Sequence, residues 1–276
     1  LKSELFLVQR CEELIQKVYQ NLSEQHENLP HEETIILVVF RKIVEKVDAA
    51  NVLFENNCGG AIESIAREVL ERYWHLCYLL EDDTSFRTLS YYYFDKLGTA
   101  KSIIENIEYS AKVMPELGRD IETIKKCEEM IEYLGNSPLF EEIRKEIQEK
   151  GNPNPKWYSL KSKNGNIKKL AQHLNLEDEY NAPYSLLSKE THGLTGTSCI
   201  KIEDGKALIT PLRNIENGKE PLKLCHYHLS MAVKLFAEYF NLNDEFDKLG
   251  YDMSRVMHSE RYEEMLKLMN NISFKI

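Results

Sequence analysis

The chain has 276 residues and a formal charge of −10 at pH 7, long enough to bury a substantial core. Glycine (12) and proline (8) are sparse while charged residues reach 29%, which excludes collagen-like and low-complexity chains and points to helices. The acidic balance argues against a general nucleic-acid binder, which needs a basic surface, but leaves room for a local basic groove, and the longest apolar run, Ile35 to Phe40, is far too short to span a membrane.

Residues 2–25 predict an amphipathic helix on Leu5, Val8, Leu14, Ile15, Val18 and Leu22. Pro30 then opens a second helix, about 31–57, with Glu32 and Glu33 in the first turn where the macrodipole favours them. Cys58-Gly59-Gly60 ends it and makes a tight connection to the next helix, Ala61 to Glu81. That helix has two unlike faces. One carries Ile62, Ile65, Val69, Tyr73, Leu76 and Leu80, a core-facing stripe; the other aligns Arg67, Glu71, Trp74 and Tyr78. A surface helix has little reason to place Trp and Tyr beside a charge pair, so both faces are expected to be covered, with Arg67 and Glu71 partly buried. Asp82-Asp83-Thr84-Ser85 supplies a capped entry to a helix over 85–113, stopped by Pro115.

From 116 to 150 the chain is strongly charged and breaks at Gly135-Asn136-Ser137-Pro138, which predicts two helices forming a charged arm. Gly151 to Pro155 is the clearest loop. The lysine-rich stretch Lys156 to Lys169, with Trp157 and Tyr158 interleaved, is read as a solvated loop or as a local basic surface. A short helix follows at 166–175, and Asn181-Ala182-Pro183 opens another that runs through Tyr184, Ser188 and His192 to Gly193. Cys199 to Thr210 breaks the helical pattern with two β-rich runs around Asp204-Gly205, the dipeptide of a type I′ hairpin turn. Residues 219–241 return to helix, and a last helix is placed at 258–271. The expectation is a mostly α, single-domain bundle of roughly ten helices, with a small hairpin or lid near 194–213.

Six cysteines lie far apart without a CxxC pair and read as reduced core residues of a cytoplasmic protein. The first residues lack the basic-then-apolar layout of a signal peptide. No glycine-rich phosphate loop, G-x-S-x-G elbow or H-E-x-x-H motif is present, so no cofactor or metal is expected. His226 and His228 resemble a metal pair, but residues two apart on a helix point roughly 200° apart, and no Cys or carboxylate stands near at ligand spacing.

The candidate site consists of Arg67 with Glu71 on one helix and Tyr184, Ser188 and His192 on another. Residues four apart share a helical face, so each set forms a compact polar patch. If the patches meet, His192 takes a proton, Arg67 stabilises developing negative charge on a phosphate, and Glu71, Tyr184 and Ser188 position them. The alternative is that an interior Arg–Glu pair with polar partners merely satisfies buried groups of a helical bundle. Arg87, Tyr91 and Asp95 on the next helix either extend the cleft or form an exposed charge pair around a packed tyrosine. His75, one turn beyond Glu71, is placed beside the same polar face.

The segments Ala66-Arg67 to Glu71, Tyr78-Leu79-Leu80, and Tyr184 through Ser188 to His192-Gly193 resemble a bacterial family, a mostly helical domain of unknown function marked by A-R-x-x-x-E and Y-x-x-x-S-x-x-x-H-G. The resemblance covers about 35–242. Such domains are distantly similar to the HEPN group, which includes metal-independent ribonucleases of toxin and phage-defence systems. The HEPN hallmark, an Arg followed four to six residues later by His on one helix, is absent, so the resemblance implies a composite site with Arg67 and His192 on separate helices. It implies an RNA or nucleotide-like ligand and metal-independent processing. The rival reading is a non-catalytic interaction or sensor module, with a protein partner or a second copy as its ligand.

Overall fold

The computed structural model describes residues 2–152, 154–191, 196–197 and 199–256. The chain forms two compact units, one drawn from residues up to Leu80 and from Leu176 onward, the other from Glu81 to Asn175. The protein is mostly helical, with one small antiparallel hairpin.

The first unit begins with α1 (Lys2–Gln25) and α2 (His31–Glu55). Pro30 stands at the N-cap of α2 and its carbonyl accepts from both the backbone N and the hydroxyl of Thr34. Ile36, Phe40, Ile43 and Val47 of α2 are wholly buried at helical spacing. After the short turn Gly59–Ala61 comes α3 (Ile62–Glu81), whose Leu80 is the last residue of this unit's first half. Trp74 and Tyr78 are buried at 0% and 2% exposure, so the second face of α3 is covered as the first is.

The turn that joins α2 to α3 is held by a close backbone approach. Gly59 N donates to Asn214 O at 3.1 Å, and a Cβ on Gly59 would stand 2.4 Å from that oxygen and 2.7 Å from Gly218 N. Only glycine fits there, and the reason is space rather than dihedral freedom.

The second unit holds α4 (Thr84–Val113), α5 (Ile121–Asn136), α6 (Glu141–Lys150) and α7 (Ile167–His173). Its core is Phe86, Tyr93, Leu134, Phe140, Ile143 and Leu160, with Phe140 stacked on Tyr92 at 6.1 Å and meeting Tyr133 edge-on at 5.8 Å. The charged segment 116–150 thus turns its apolar residues onto α4. Arg144 Nη1 donates to Leu134 O and Ser137 O at 2.9 and 3.0 Å, tying α6 to the end of α5.

Asp83 sits at the N-cap of α4 in a left-handed conformation (φ 42°) and makes no side-chain cap. Its carboxylate instead meets Lys161 Nζ at 3.1 Å, and that ammonium also pairs with Glu142 at 2.6 Å over the Phe86 ring. The lysine-rich stretch is therefore neutralised at Lys161. Arg87 lies in this unit on Glu81 (3.2 Å), which also holds His173 at 2.7 Å, while Tyr91 stands edge-on to Trp157 and Asp95 lies beside Lys96.

The first unit resumes with α8 (Glu177–Glu179), a π-helical turn over Tyr180–Tyr184, and α9 (Ser185–Thr191). Strands β1 (Ile200–Glu203) and β2 (Lys206–Ile209) pair in antiparallel register, Ile200 opposite Ile209 and Ile202 opposite Ala207. Asp204 and Gly205 between them have φ of 50° and 74°, the signature of the type I′ turn. The helix α10 (Lys219–Tyr239) follows and packs on α2, Phe236 stacking on Phe40 at 4.1 Å.

Helix also forms over 243–256, where the sequence pattern places none. The helix placed at 258–271 lies outside the described residues. Of the cysteines, Cys11, Cys127 and Cys225 are buried, Cys58 and Cys77 half-buried and Cys199 exposed; all are free thiols. Among the described residues no helix is long and apolar enough to cross a membrane.

Candidate functional site

Two elements of the first unit build the site, α3 and the segment 177–191. Pro183 has no N–H to offer the helix and its ring blocks the carbonyl four residues back, so the chain widens into a π-turn there instead of starting a fresh helix at Asn181. This differs from the sequence expectation, which opened the helix at Asn181-Ala182-Pro183; the helical segment starts at Glu177. The widened turn presents both Glu179 and Tyr184 to α3.

Arg67, Glu71 and Tyr184 close a triangle of hydrogen bonds. Arg67 Nε donates to Glu71 Oε1 at 3.0 Å, Arg67 Nη2 donates to Tyr184 Oη at 3.1 Å, and Tyr184 Oη donates to Glu71 Oε1 at 2.8 Å. The guanidinium also lies over the Tyr184 ring, 5.3 Å from its centroid. Tyr184 is 4% exposed, whereas Arg67 and Glu71 keep 19% and 29% of their side-chain surface.

Burial, and then the bond to the Glu71 carboxylate, push the Tyr184 phenol up to about 12. The hydroxyl is therefore a fixed donor at neutral pH and no base. Burial works against the Arg67 cation, but the Tyr184 bond and the Glu71 charge outweigh it and raise its pKa.

Five N–H donors belong to a guanidinium, and the triangle occupies the edge formed by Nε and one proton of Nη2. Among the described residues the Nη1 end has no hydrogen-bond partner. It is a cation fixed in position, partly in water, with donors to spare, and that arrangement suits a phosphate or carboxylate oxygen.

A second set of contacts anchors the same segment. Glu179 Oε2 accepts from Trp74 Nε1 at 2.9 Å and lies 3.3 Å from His228 Nε2. His228, 1% exposed, has its Nδ1 2.9 Å from Leu224 O, so each ring nitrogen faces an acceptor. Burial raises the Glu179 carboxyl, but the bonds from His228 and Trp74 outweigh it and hold the group below its usual range. Trp74 in turn packs on Tyr184 at 5.2 Å, and Tyr184 stacks on Tyr180 at 5.1 Å.

Of the residues singled out from sequence, Arg67, Glu71 and Tyr184 meet. Ser188, half-buried one turn further on, takes no part in the triangle. His192 lies outside the described residues. Sequence reading missed Glu179 and weighed His228 only as half of a metal pair, not as the partner of Glu179. Glu179 is five positions before Tyr184, a spacing that shares no face of an α-helix, and only the proline inside an otherwise helical run signals the wider turn. His226 and His228 diverge, the first reaching Asn51 of α2 at 2.8 Å and the second Glu179. Among the described residues no cluster of three His, Cys, Asp or Glu side chains could hold a metal ion.

No curated protein and no solved structure matches the chain. Residues 33–205 match a family whose span takes in α2, α3 and the whole 177–191 segment but neither α1 nor α10, and the protein accordingly belongs to the family of unknown function DUF5677.

Proposed function

We propose that the protein binds a phosphate-bearing ligand, RNA or nucleotide-like, at the Nη1 end of Arg67, and processes it without metal. What supports this is the held guanidinium: two of its donors are spent on Glu71 and Tyr184, which fixes its direction before any ligand arrives. In this reading Arg67 takes the phosphate and balances charge in the transition state, with Glu71 and Tyr184 positioning it and Ser188 one turn away. His192 is the base. It removes the proton of a ribose 2′-hydroxyl as that oxygen attacks the adjacent phosphorus, and the 5′-oxygen departs with a proton from water.

The experiment is cleavage of single-stranded RNA by the purified protein in excess chelator. Cutting is expected in the wild type and is expected to vanish in His192→Ala and to fall by about 10²-fold or more in Arg67→Ala. Absence of both binding and cutting across RNAs of varied sequence overturns the proposal.

A helical interaction or sensor module is the second reading, favoured by the closure of the triangle, in which three polar groups satisfy one another around a buried phenol. Thermal melts separate the two. A structural network predicts a loss of about 3 kcal/mol or more in Arg67→Ala and no protection by any phosphate ligand.

A further inference from the structure

Resting on the reading of Arg67 as a phosphate contact, we infer that the site selects by ligand charge, taking the monoanion of a phosphodiester and discriminating against phosphomonoester dianions and polyphosphates.

The inference starts from what surrounds the guanidinium. Its Nε edge is engaged by Glu71 at 3.0 Å, so one carboxylate already offsets the one cation that, among the described residues, faces a ligand. Up to Leu80 the helix α3 carries three carboxylates against two arginines, and the segment 177–191 carries four against one lysine. Glu68 of α3 is itself shared by Lys46 (2.6 Å) and Arg72 (4.0 Å), so Arg72 is turned to its own helix. Glu179 is matched by His228 and by the indole of Trp74. Both elements that bear the site are thus net negative.

Attraction to a cation grows in proportion to ligand charge, whereas the cost of stripping water from an ion grows as the square of that charge. With one partly offset cation and a negative surround, the second charge of a terminal phosphate costs more in dehydration and repulsion than it recovers. A diester brings one charge and two unesterified oxygens. Those suit the donors left at the Nη1 end, where hydrogen-bond direction counts for more than net charge.

The test compares a deoxy dinucleoside monophosphate, which has no 2′-hydroxyl and stays intact, with AMP and ATP, by calorimetry on the full chain at low salt. At pH 8 the diester is expected to bind about tenfold tighter than AMP, and ATP weaker still. AMP sheds its second charge as pH falls through about 6, so between pH 8 and pH 5 its affinity is expected to rise relative to that of the diester, which keeps one charge throughout and so reports titration of the protein itself, His192 included. Glu71→Gln keeps an oxygen for Arg67 and Tyr184 to donate to and removes the charge, so it is expected to narrow the gap at pH 8. The comparison across pH needs no variant.

AMP or ATP binding tighter than the diester at pH 8, with Arg67→Ala abolishing both, overturns the charge selection and leaves the phosphate site standing. Failure of every compound to bind at either pH, or binding indifferent to Arg67→Ala, overturns the phosphate site itself.

Discussion

Replacing Tyr184 by phenylalanine removes one oxygen atom and tests the triangle directly. That hydroxyl donates to Glu71 at 2.8 Å and accepts from Arg67 at 3.1 Å. A hydrogen bond to a charged partner contributes about 1.5–3 kcal/mol when its loss leaves the partner buried. Arg67 and Glu71 retain 19% and 29% of their side-chain surface, so water reaches both once the hydroxyl is gone. The expected loss for Tyr184→Phe is therefore about 1–2 kcal/mol, or roughly 3–6 °C in midpoint for a chain of this size. Tyr184→Ala also empties the ring volume between Trp74 and Tyr180 and is expected to cost about 3–5 kcal/mol. Urea unfolding followed by circular dichroism measures both; if the two units unfold separately, the relevant transition is the one that Tyr184→Ala moves. Closing a cycle with Glu71→Gln and the double variant isolates the hydroxyl–carboxylate bond, for which a coupling of about 1 kcal/mol is expected. A phenylalanine variant as stable as the wild type, with no coupling to position 71, would refute this account of the triangle.

The same phenol sets a pH dependence. Its value in the folded protein is raised from 10.0 to about 12, so its contribution is fully present below about pH 10 and is lost as pH rises toward 12; the wild type is expected to lose on the order of 2 kcal/mol more than Tyr184→Phe across that window, read from urea midpoints at successive pH values. At the α2–α3 turn, Gly59→Ala would press a methyl to 2.4 Å from Asn214 O, whereas Gly60→Ala meets nothing within 4 Å. Thermal melts are expected to show a loss of about 2–4 kcal/mol for the first and less than about 0.5 kcal/mol for the second.

Much of the helical architecture is legible in local chemistry. Pro30 with Glu32 and Glu33 marks the start of α2 and Asp204-Gly205 marks the hairpin, because each rests on a local preference that distant residues do not override; the paired glycines mark the α2–α3 turn too, although what requires Gly59 is the approach of Asn214. The covering of both faces of α3 also follows from the sequence, since Trp74 and Tyr78 would waste apolar area in water. Three features are illegible for one shared reason. The cap expected from Asp82-Asp83-Thr84-Ser85 is not made at the N-cap Asp83, whose carboxylate goes to Lys161, the π-turn arises where Pro183 interrupts a run that α3 and α10 hold in place, and Glu179 finds Trp74 and His228 from elements far apart in sequence. All three are decided by tertiary partners. The Arg67–Glu71 pair is visible as an i, i+4 spacing, but Tyr184 and Ser188 share one face, so that the first rather than the second joins the pair is a matter of position along the segment, which tertiary packing sets.

That altered winding gives the segment a property an ordinary helix lacks. Five residues of regular α-helix would leave the side chains of Glu179 and Tyr184 about 140° apart, so α3 would grip one of them and release the other. With the wider turn both are seated, one on Trp74 and one on Arg67. Tightening the coil by a single hydrogen-bond step would swing one anchor toward solvent while its neighbour stayed docked. Pro183 thus acts as a spacer that keeps two distant grips on α3 in phase, and Arg67 owes the position of its partner to a residue that makes none of the triangle's hydrogen bonds.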